Sequence, residues 1–196
     1  YENDGSQSFT EHIITTLANA AYSVEAIDVD GDGDVDVLSA FYLGDTIAWY
    51  ENDGFQSFTE RIITDSLSEP TAAVAIDMDG DGDVDALSSA LTPSTVTWYE
   101  NDGFQSFTEH IITNLAVYAT DVYAIDVDGD GDVDVIGASY SDDTVAWYEN
   151  DGSQSFTEHI VTTLADAARS VYSIDVDWDG DLDMLSASND DDTVAW

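Results

Sequence analysis

The chain contains no cysteine and no lysine, and Arg61 and Arg169 are its only two strongly basic residues. Without cysteine there can be neither a disulfide framework nor a thiolate metal site. Against those two cations stand 43 acidic residues, for a formal net charge of −41. Nucleic acids and anionic membrane surfaces are bound by Lys and Arg that displace counterions, so nucleic-acid binding is excluded. No apolar run approaches the ~18 residues of a membrane span, and no membrane insertion is expected. No signal peptide is visible either, although Tyr1–Gly5 already lie inside a repeat, which leaves room for a targeting segment outside these residues.

What is present is enough for a packed core. Apolar residues make up 43% of the 196 and aromatics 11%, unlike a disordered acidic tail. Like charges at this density destabilise a compact state by self-repulsion, so bound cations are the expected offset.

Trp49, Trp98, Trp147 and Trp196 recur every 49 residues and divide the chain into units 1–49, 50–98, 99–147 and 148–196. Each unit opens Tyr-Glu-Asn-Asp-Gly, continues Gln-Ser-Phe-Thr-Glu and holds an Asp-rich loop near its middle. Short runs such as Val24–Val29, Val35–Ala40, Thr46–Tyr50 and Ser57–Thr64, bounded by Gly, Asn and Asp turns, read as strands and hairpins. The one helix-like stretch, Thr16–Ala21, has Pro70 in its second-unit equivalent and reads as a crossover. Four short strands per ~50 residues is the size of a propeller blade. The expected fold is therefore all-β, a β-propeller of four tandem four-stranded blades forming a single domain, with a β-solenoid as the runner-up. The chain begins and ends near the close of a third strand, so its first hairpin is expected to complete a blade begun by residues 169–196. A ring closed within one chain, a homodimer completing an eight-bladed ring, and a fragment of a longer array all stay open.

The chemistry sits in four copies of one loop. The copies carry Asp28, Asp30, Asp32, Asp34 and Asp36; Asp77, Asp79, Asp81, Asp83 and Asp85; Asp126, Asp128, Asp130, Asp132 and Asp134; and Asp175, Asp177, Asp179, Asp181 and Asp183. Carboxylates at positions 1, 3, 5 and 9, with glycine at 6, wrap oxygens around one point, and position 7 would add its backbone carbonyl. Ca²⁺ takes six to eight hard oxygen ligands in forgiving geometry, whereas Mg²⁺ demands a tighter octahedron. Asp and Gly also favour plain turns, but four complete copies point to Ca²⁺, about one ion per repeat. An EF-hand needs glutamate at position 12, where this chain has Ser39, Ser88, Gly137 and Ser186. In the fourth copy Trp178 replaces the glycine at position 4, with its side chain expected to point outward.

A loop of the form Asp-x-Asp-x-Asp-Gly-x-x-Asp within a ~50-residue β unit resembles the FG-GAP repeats of integrin α-subunit propellers, and more closely the related VCBS-type repeats of bacterial surface proteins. The nearest approach to the family's naming words is Gly137-Ala138-Ser139. The resemblance covers the whole chain. It implies an extracellular or cell-surface propeller, calcium in the loop between the first and second strands, and a role in adhesion or ligand recognition.

The four units differ mainly in the crossovers (Asn19–Glu25, Ser68–Val74, Val117–Tyr123, Asp166–Tyr172) and in the second-to-third-strand loops (Phe41–Asp45, Ala90–Ser94, Ser139–Asp143, Ser188–Asp192). In an up-and-down blade both connections emerge on one rim, opposite the Asp loops, and a protein or carbohydrate ligand is expected there. The alternative is that these loops merely tolerate drift. His12, His110 and His159 occupy one repeat position, filled by Arg61 in the second unit, and suit a strand surface. The four Trp suit packing between blades, with sugar stacking as the alternative. No Gly-x-Ser-x-Gly or other nucleophile motif is present, so an enzyme is not expected. Three roles remain: a calcium-dependent adhesion or protein-interaction module, a lectin, and a self-assembling scaffold.

Overall fold

The computed structural model describes residues 1–196 and contains strands but no helix. In chain order the strands are β1 (Glu2–Asn3), β2 (Phe9–Thr10), β3 (Ala21–Ile27), β4 (Asp36–Phe41), β5 (Thr46–Asn52), β6 (Phe58–Thr64), β7 (Ser68–Ile76), β8 (Asp85–Thr92) and β9 (Thr95–Asn101). They continue as β10 (Phe107–Thr113), β11 (Ala119–Ile125), β12 (Asp134–Ser139), β13 (Thr144–Asn150), β14 (Phe156–Thr162), β15 (Ala168–Ile174), β16 (Asp183–Ser188) and β17 (Thr193–Ala195). Consecutive strands pair antiparallel into the sheets β3-β4-β5-β6, β7-β8-β9-β10 and β11-β12-β13-β14, followed by a three-stranded sheet β15-β16-β17. The β1–β2 hairpin forms a sheet of its own. Each four-stranded sheet straddles a border of the 49-residue sequence units, because the strand that ends one unit pairs with the hairpin that opens the next.

The first strand of the first four-stranded sheet differs from its expected span of Val24–Val29. β3 begins at Ala21 and stops at Ile27, two residues earlier than Val29. It stops there because the Asp28 carboxylate accepts hydrogen bonds from the Gly31 and Gly33 amides and folds the chain into the loop. The Thr16–Ala21 segment is a crossover, as expected, and it turns through Ala20 in the left-handed region.

Apolar residues on both faces of the two inner sheets, and on the facing sides of the first and last, are buried by the neighbouring sheets. β7 packs on β3 and β4, β11 on β7 and β8, and β15 on β11 and β12. Larger side chains of one sheet meet smaller ones of the next, as where Leu38, Ile47 and Trp49 pack with Ala73, Ala75 and Ala86. Leu87, Val96 and Trp98 repeat this against Val122 and Val135, and Ile136 and Val145 against Ala168 and Val171. Trp49 and Trp98 are therefore packing residues, 1% and 2% exposed. No sheet closes on itself, and no strand of the first sheet packs extensively on β15–β17.

Candidate metal centres

Each Asp loop joins the first and second strands of a sheet, and each brings three carboxylates together. One oxygen from each of Asp28, Asp30 and Asp32 lies within 4.8 Å of the others, and Asp77, Asp79 and Asp85 converge likewise. Asp126, Asp128 and Asp134 form the third group, and Asp175, Asp177 and Asp183 the fourth. Ligands at ~2.3–2.6 Å from one Ca²⁺ can stand at most about 5 Å apart, so these oxygens fit around one ion. The donor set is oxygen alone, which suits a hard cation.

The backbone holds the carboxylates in place. Asp28 Oδ2 accepts from the Gly33 amide at 2.9 Å, and Asp77, Asp126 and Asp175 accept from Gly82, Gly131 and Gly180 at 3.0–3.1 Å. Those position-6 glycines have φ of +96 to +103°, a conformation costly to any residue with a Cβ. At position 4 of the fourth loop Trp178 takes φ 65° and is 89% exposed, so the side chain points into solvent.

Position 9 is the buried member of the set. Asp36, Asp85 and Asp134 are 0–2% exposed. Each accepts through Oδ2 from the amide at position 2 of its loop (Val29, Met78, Val127) at 2.9–3.0 Å. Each accepts through Oδ1 from the amide of Asn52, Asn101 or Asn150 at 2.7–2.8 Å. Burial pushes the carboxyls of Asp36 and Asp134 above the usual range, and that of Asp85 up to about 6. The two amides and the Trp98 indole beside Asp85 counter only part of that cost. Desolvation likewise raises Asp30 and Asp79, and nearby Glu51 and Glu100 add to it. A bound cation would remove this penalty in the first three loops.

No protein cation does so. Arg61 pairs with Glu51, His12 with Glu2, His110 with Glu100 and His159 with Glu149, all at one repeat position on the sheet surface. Arg169 lies 4.3 Å over the Tyr140 ring. His110 and His159 also stack on Trp98 and Trp147.

Of the twenty aspartates read from the sequence, positions 1 and 3 enter every group, joined by position 5 in the first loop and position 9 in the others. The position-7 side chains stand apart. Those of Asp34, Asp83 and Asp132 lie against Gly54, Gly103 and Gly152, where a Cβ would collide with the carboxylate. The Asn-Asp-Gly hairpin, read from the sequence only as a turn, is thus part of the loop's support. Asn52, Asn101 and Asn150 each also donate through Nδ2 to the carbonyl of Val35, Val84 or Val133 at 3.1 Å. Its identity in all four units was the signal available in the sequence.

The diversified segments meet on the other rim. Asn19 Nδ2 donates to the Leu43 carbonyl, and the amides of Glu69 and Ala167 donate to Asp45 and Asp143. Tyrosines stand there: Tyr22 stacks on Tyr42 at 5.0 Å, and Tyr118 is 45% exposed.

A search of curated proteins finds no significant match. Among solved structures the chain is similar to a lectin of Agrocybe aegerita described as recognising non-reducing terminal N-acetylglucosamine, at a TM-score of 0.60 and 16% identity. That match covers 86% of this chain and 48% of the lectin. It is also similar to the V. cholerae biofilm matrix protein Bap1, at a TM-score of 0.54 and 17% identity over 96% of this chain and 32% of Bap1. At these identities the likeness is one of fold, and the chain spans about half or less of either protein. The FG-GAP-like repeat model matches residues 1–39, 28–88, 77–137 and 126–186, each long match running from one Asp loop through the next. The chain belongs to the FG-GAP-like repeat family.

Proposed function

We propose that the chain is a calcium-binding β-propeller module that works outside the cell or at its surface in adhesion or protein recognition, with the stacked sheets as its blades. The observation behind this reading is the same convergence of three carboxylate oxygens in four loops, with every basic side chain engaged elsewhere. In each loop, positions 1, 3, 5 and 9 would hold Ca²⁺ through carboxylates and position 7 through its carbonyl. The ion would neutralise buried charge and fix the loop to its hairpin. The partner would bind the opposite rim, where the units differ. Calorimetric titration with Ca²⁺ tests the metal reading: about four ions per chain, with a rise in melting temperature, are expected. Absence of binding in a folded chain would refute it.

A carbohydrate ligand is the second reading. It is favoured by the half-exposed tyrosines of the variable rim, whose ring faces suit sugar stacking, and by the fold shared with a lectin. A glycan array probed in calcium and in chelator separates the two readings: calcium-dependent glycan signals favour the lectin, and silence across the array favours a protein partner.

A further inference from the structure

Two tryptophan N–H groups are buried with nothing to bind, and both stand beside a candidate metal loop. The indole Nε1 of Trp98 and that of Trp147 are closed off from solvent and have no hydrogen-bond partner, which is true of no other tryptophan in the chain. Buried donors are almost always paired, so two orphans at one repeat position call for a physical reason.

Strand register identifies what the two indoles face. Trp98 lies opposite Leu87 and Trp147 opposite Ile136, each two residues beyond the position-9 aspartate of its sheet, Asp85 or Asp134. Alternate residues of a strand share a face, and a diagonal cross-strand neighbour is within reach of an aromatic side chain. Burial raises both carboxyls, and the indoles of Trp98 and Trp147 join the backbone amides in opposing that rise. Each carboxylate has room for a further donor. Asp85 accepts one amide at each oxygen, from Met78 and Asn101, and Asp134 does so from Val127 and Asn150. A carboxylate offers about four acceptor sites, enough for an ion and an indole besides the two amides.

The first sheet is a control built into the chain. Trp49 lies opposite Leu38, two residues beyond Asp36, in the same register. Its cross-strand neighbour is Arg61, which is paired with Glu51. In the second and third sheets that neighbour is a histidine lying flat on the indole. His110 stacks on Trp98 at 4.5 Å and 25°, and His159 on Trp147 at 4.7 Å and 28°. Each imidazole is tied in turn to a glutamate, Glu100 at 2.7 Å or Glu149 at 2.6 Å. The carboxylate groups divide in the same way. Asp85 and Asp134 converge with positions 1 and 3 of their loops, whereas in the first loop Asp32 converges in place of Asp36.

We propose that Trp98 and Trp147 are positioning residues of the second and third metal sites. Each indole N–H, its ring held by His110 or His159, donates to the position-9 carboxylate when the loop takes up its ion, and so fixes the oxygen turned toward that ion. Ligating carboxylates are commonly held by outer hydrogen bonds of this kind. The first site, with Trp49 beside Arg61, lacks the device. The inference rests on the calcium reading of the loops and adds residues outside them to two of the four sites.

Proton–nitrogen NMR of the ¹⁵N-labelled wild type, titrated from chelator into Ca²⁺, tests it. The five tryptophans give five indole N–H resonances, assigned by single Trp→Phe variants. Those of Trp98 and Trp147 are expected to move downfield as the ions bind, and that of Trp49 to stay. His110→Arg copies the first unit and leaves the Trp98 N–H in place, and is expected to lose the Trp98 shift. Trp98→Phe keeps an aromatic ring in the core and removes the N–H. It is expected to fold, as read by circular dichroism, and to weaken one calcium site about tenfold by calorimetry, with Trp49→Phe changing no site by more than about twofold. Should Trp98→Phe fail to fold, the wild-type resonances and His110→Arg decide. Calcium uptake with the Trp98 and Trp147 resonances unmoved, or wild-type affinity at every site of a folded Trp98→Phe, would overturn the proposal and leave the metal reading standing. A folded wild type that takes up no calcium would overturn both.

Discussion

Replacing Asp85 by Asn separates the two opposed roles of the position-9 carboxylate. In the wild type, Asp85 accepts from Met78 and Asn101 in a site 2% exposed. An asparagine keeps one acceptor oxygen and turns an NH₂ toward the other amide, which costs about 1–3 kcal/mol for the unpaired group. It also removes a charge whose pKa is raised by burial from 3.8 to about 6. At ~1.36 kcal/mol per unit that charge costs the folded state up to about 3 kcal/mol, less whatever solvent at the neighbouring loop screens. The penalty is absent below the unfolded pKa, grows between 3.8 and about 6, and is complete above that. The calcium-free variant should therefore unfold within about 2 kcal/mol of wild type at pH 7, and fall behind by about 1–3 kcal/mol at pH 4. In calcium the order changes, because the second loop loses a charged ligand and with it part of the stabilisation a bound ion contributes, about 2.7 kcal/mol at a hundredfold excess over the ion's dissociation constant. Denaturant unfolding at both pH values, with calcium and with chelator, reads all four states. An unchanged calcium increment, or a calcium-free deficit at pH 7 larger than that at pH 4, would refute the reasoning.

Gly103→Ala and Gly5→Ala place a Cβ at equivalent positive-φ hairpin positions, costing each about 1–2 kcal/mol, but only Gly103 has a carboxylate, that of Asp83, in the way. Thermal melts should show the larger loss for Gly103→Ala, and calcium titration should show one weakened site for that variant. Trp98→Ala should cost about 3–5 kcal/mol by denaturant unfolding, against under about 1 kcal/mol for the exposed Trp196→Ala in the single chain. Tyr22→Ala, at a position 57% exposed on the variable rim, should leave the melting temperature unchanged and abolish retention on whatever protein or glycan the module binds.

The repeat made the strand plan legible, because a 49-residue period with a fixed Trp frame leaves little freedom in where strands and turns fall. The loops were legible for the same reason, since Asp and Gly at fixed spacing have few other uses when repeated four times. The distribution of burial was not legible. Val24 and Val122 occupy the same place in the repeat and carry the same side chain, yet one is 75% exposed and the other 2%. That contrast depends on which sheet stands in front, a property of the stack and not of the unit. The support given by Asn52, Asn101 and Asn150 was hidden for a related reason. An Asn-Asp-Gly turn explains itself locally, so nothing in its own residues requires a second task sixteen residues from the aspartate it serves.

That second task explains why one rim is uniform while the other varies. On the Asp-loop rim the position-9 carboxylates Asp36, Asp85 and Asp134 tie the start of their loop, just after the first strand of a sheet, to the hairpin between its third and fourth strands, spanning the sheet with two short bonds. A change in either partner leaves a buried carboxylate or a buried amide unpaired, and both are costly in a low-dielectric site. On the other rim the contacts run from side chains such as Asn19 and Asp45 to backbone groups at exposed turns. Solvent can replace each of them when the residue changes. A sheet pinned at one end in this way can vary its loops at the other without losing register. The rim opposite the Asp loops is thus the one free to vary, which is the freedom the proposed recognition surface would use.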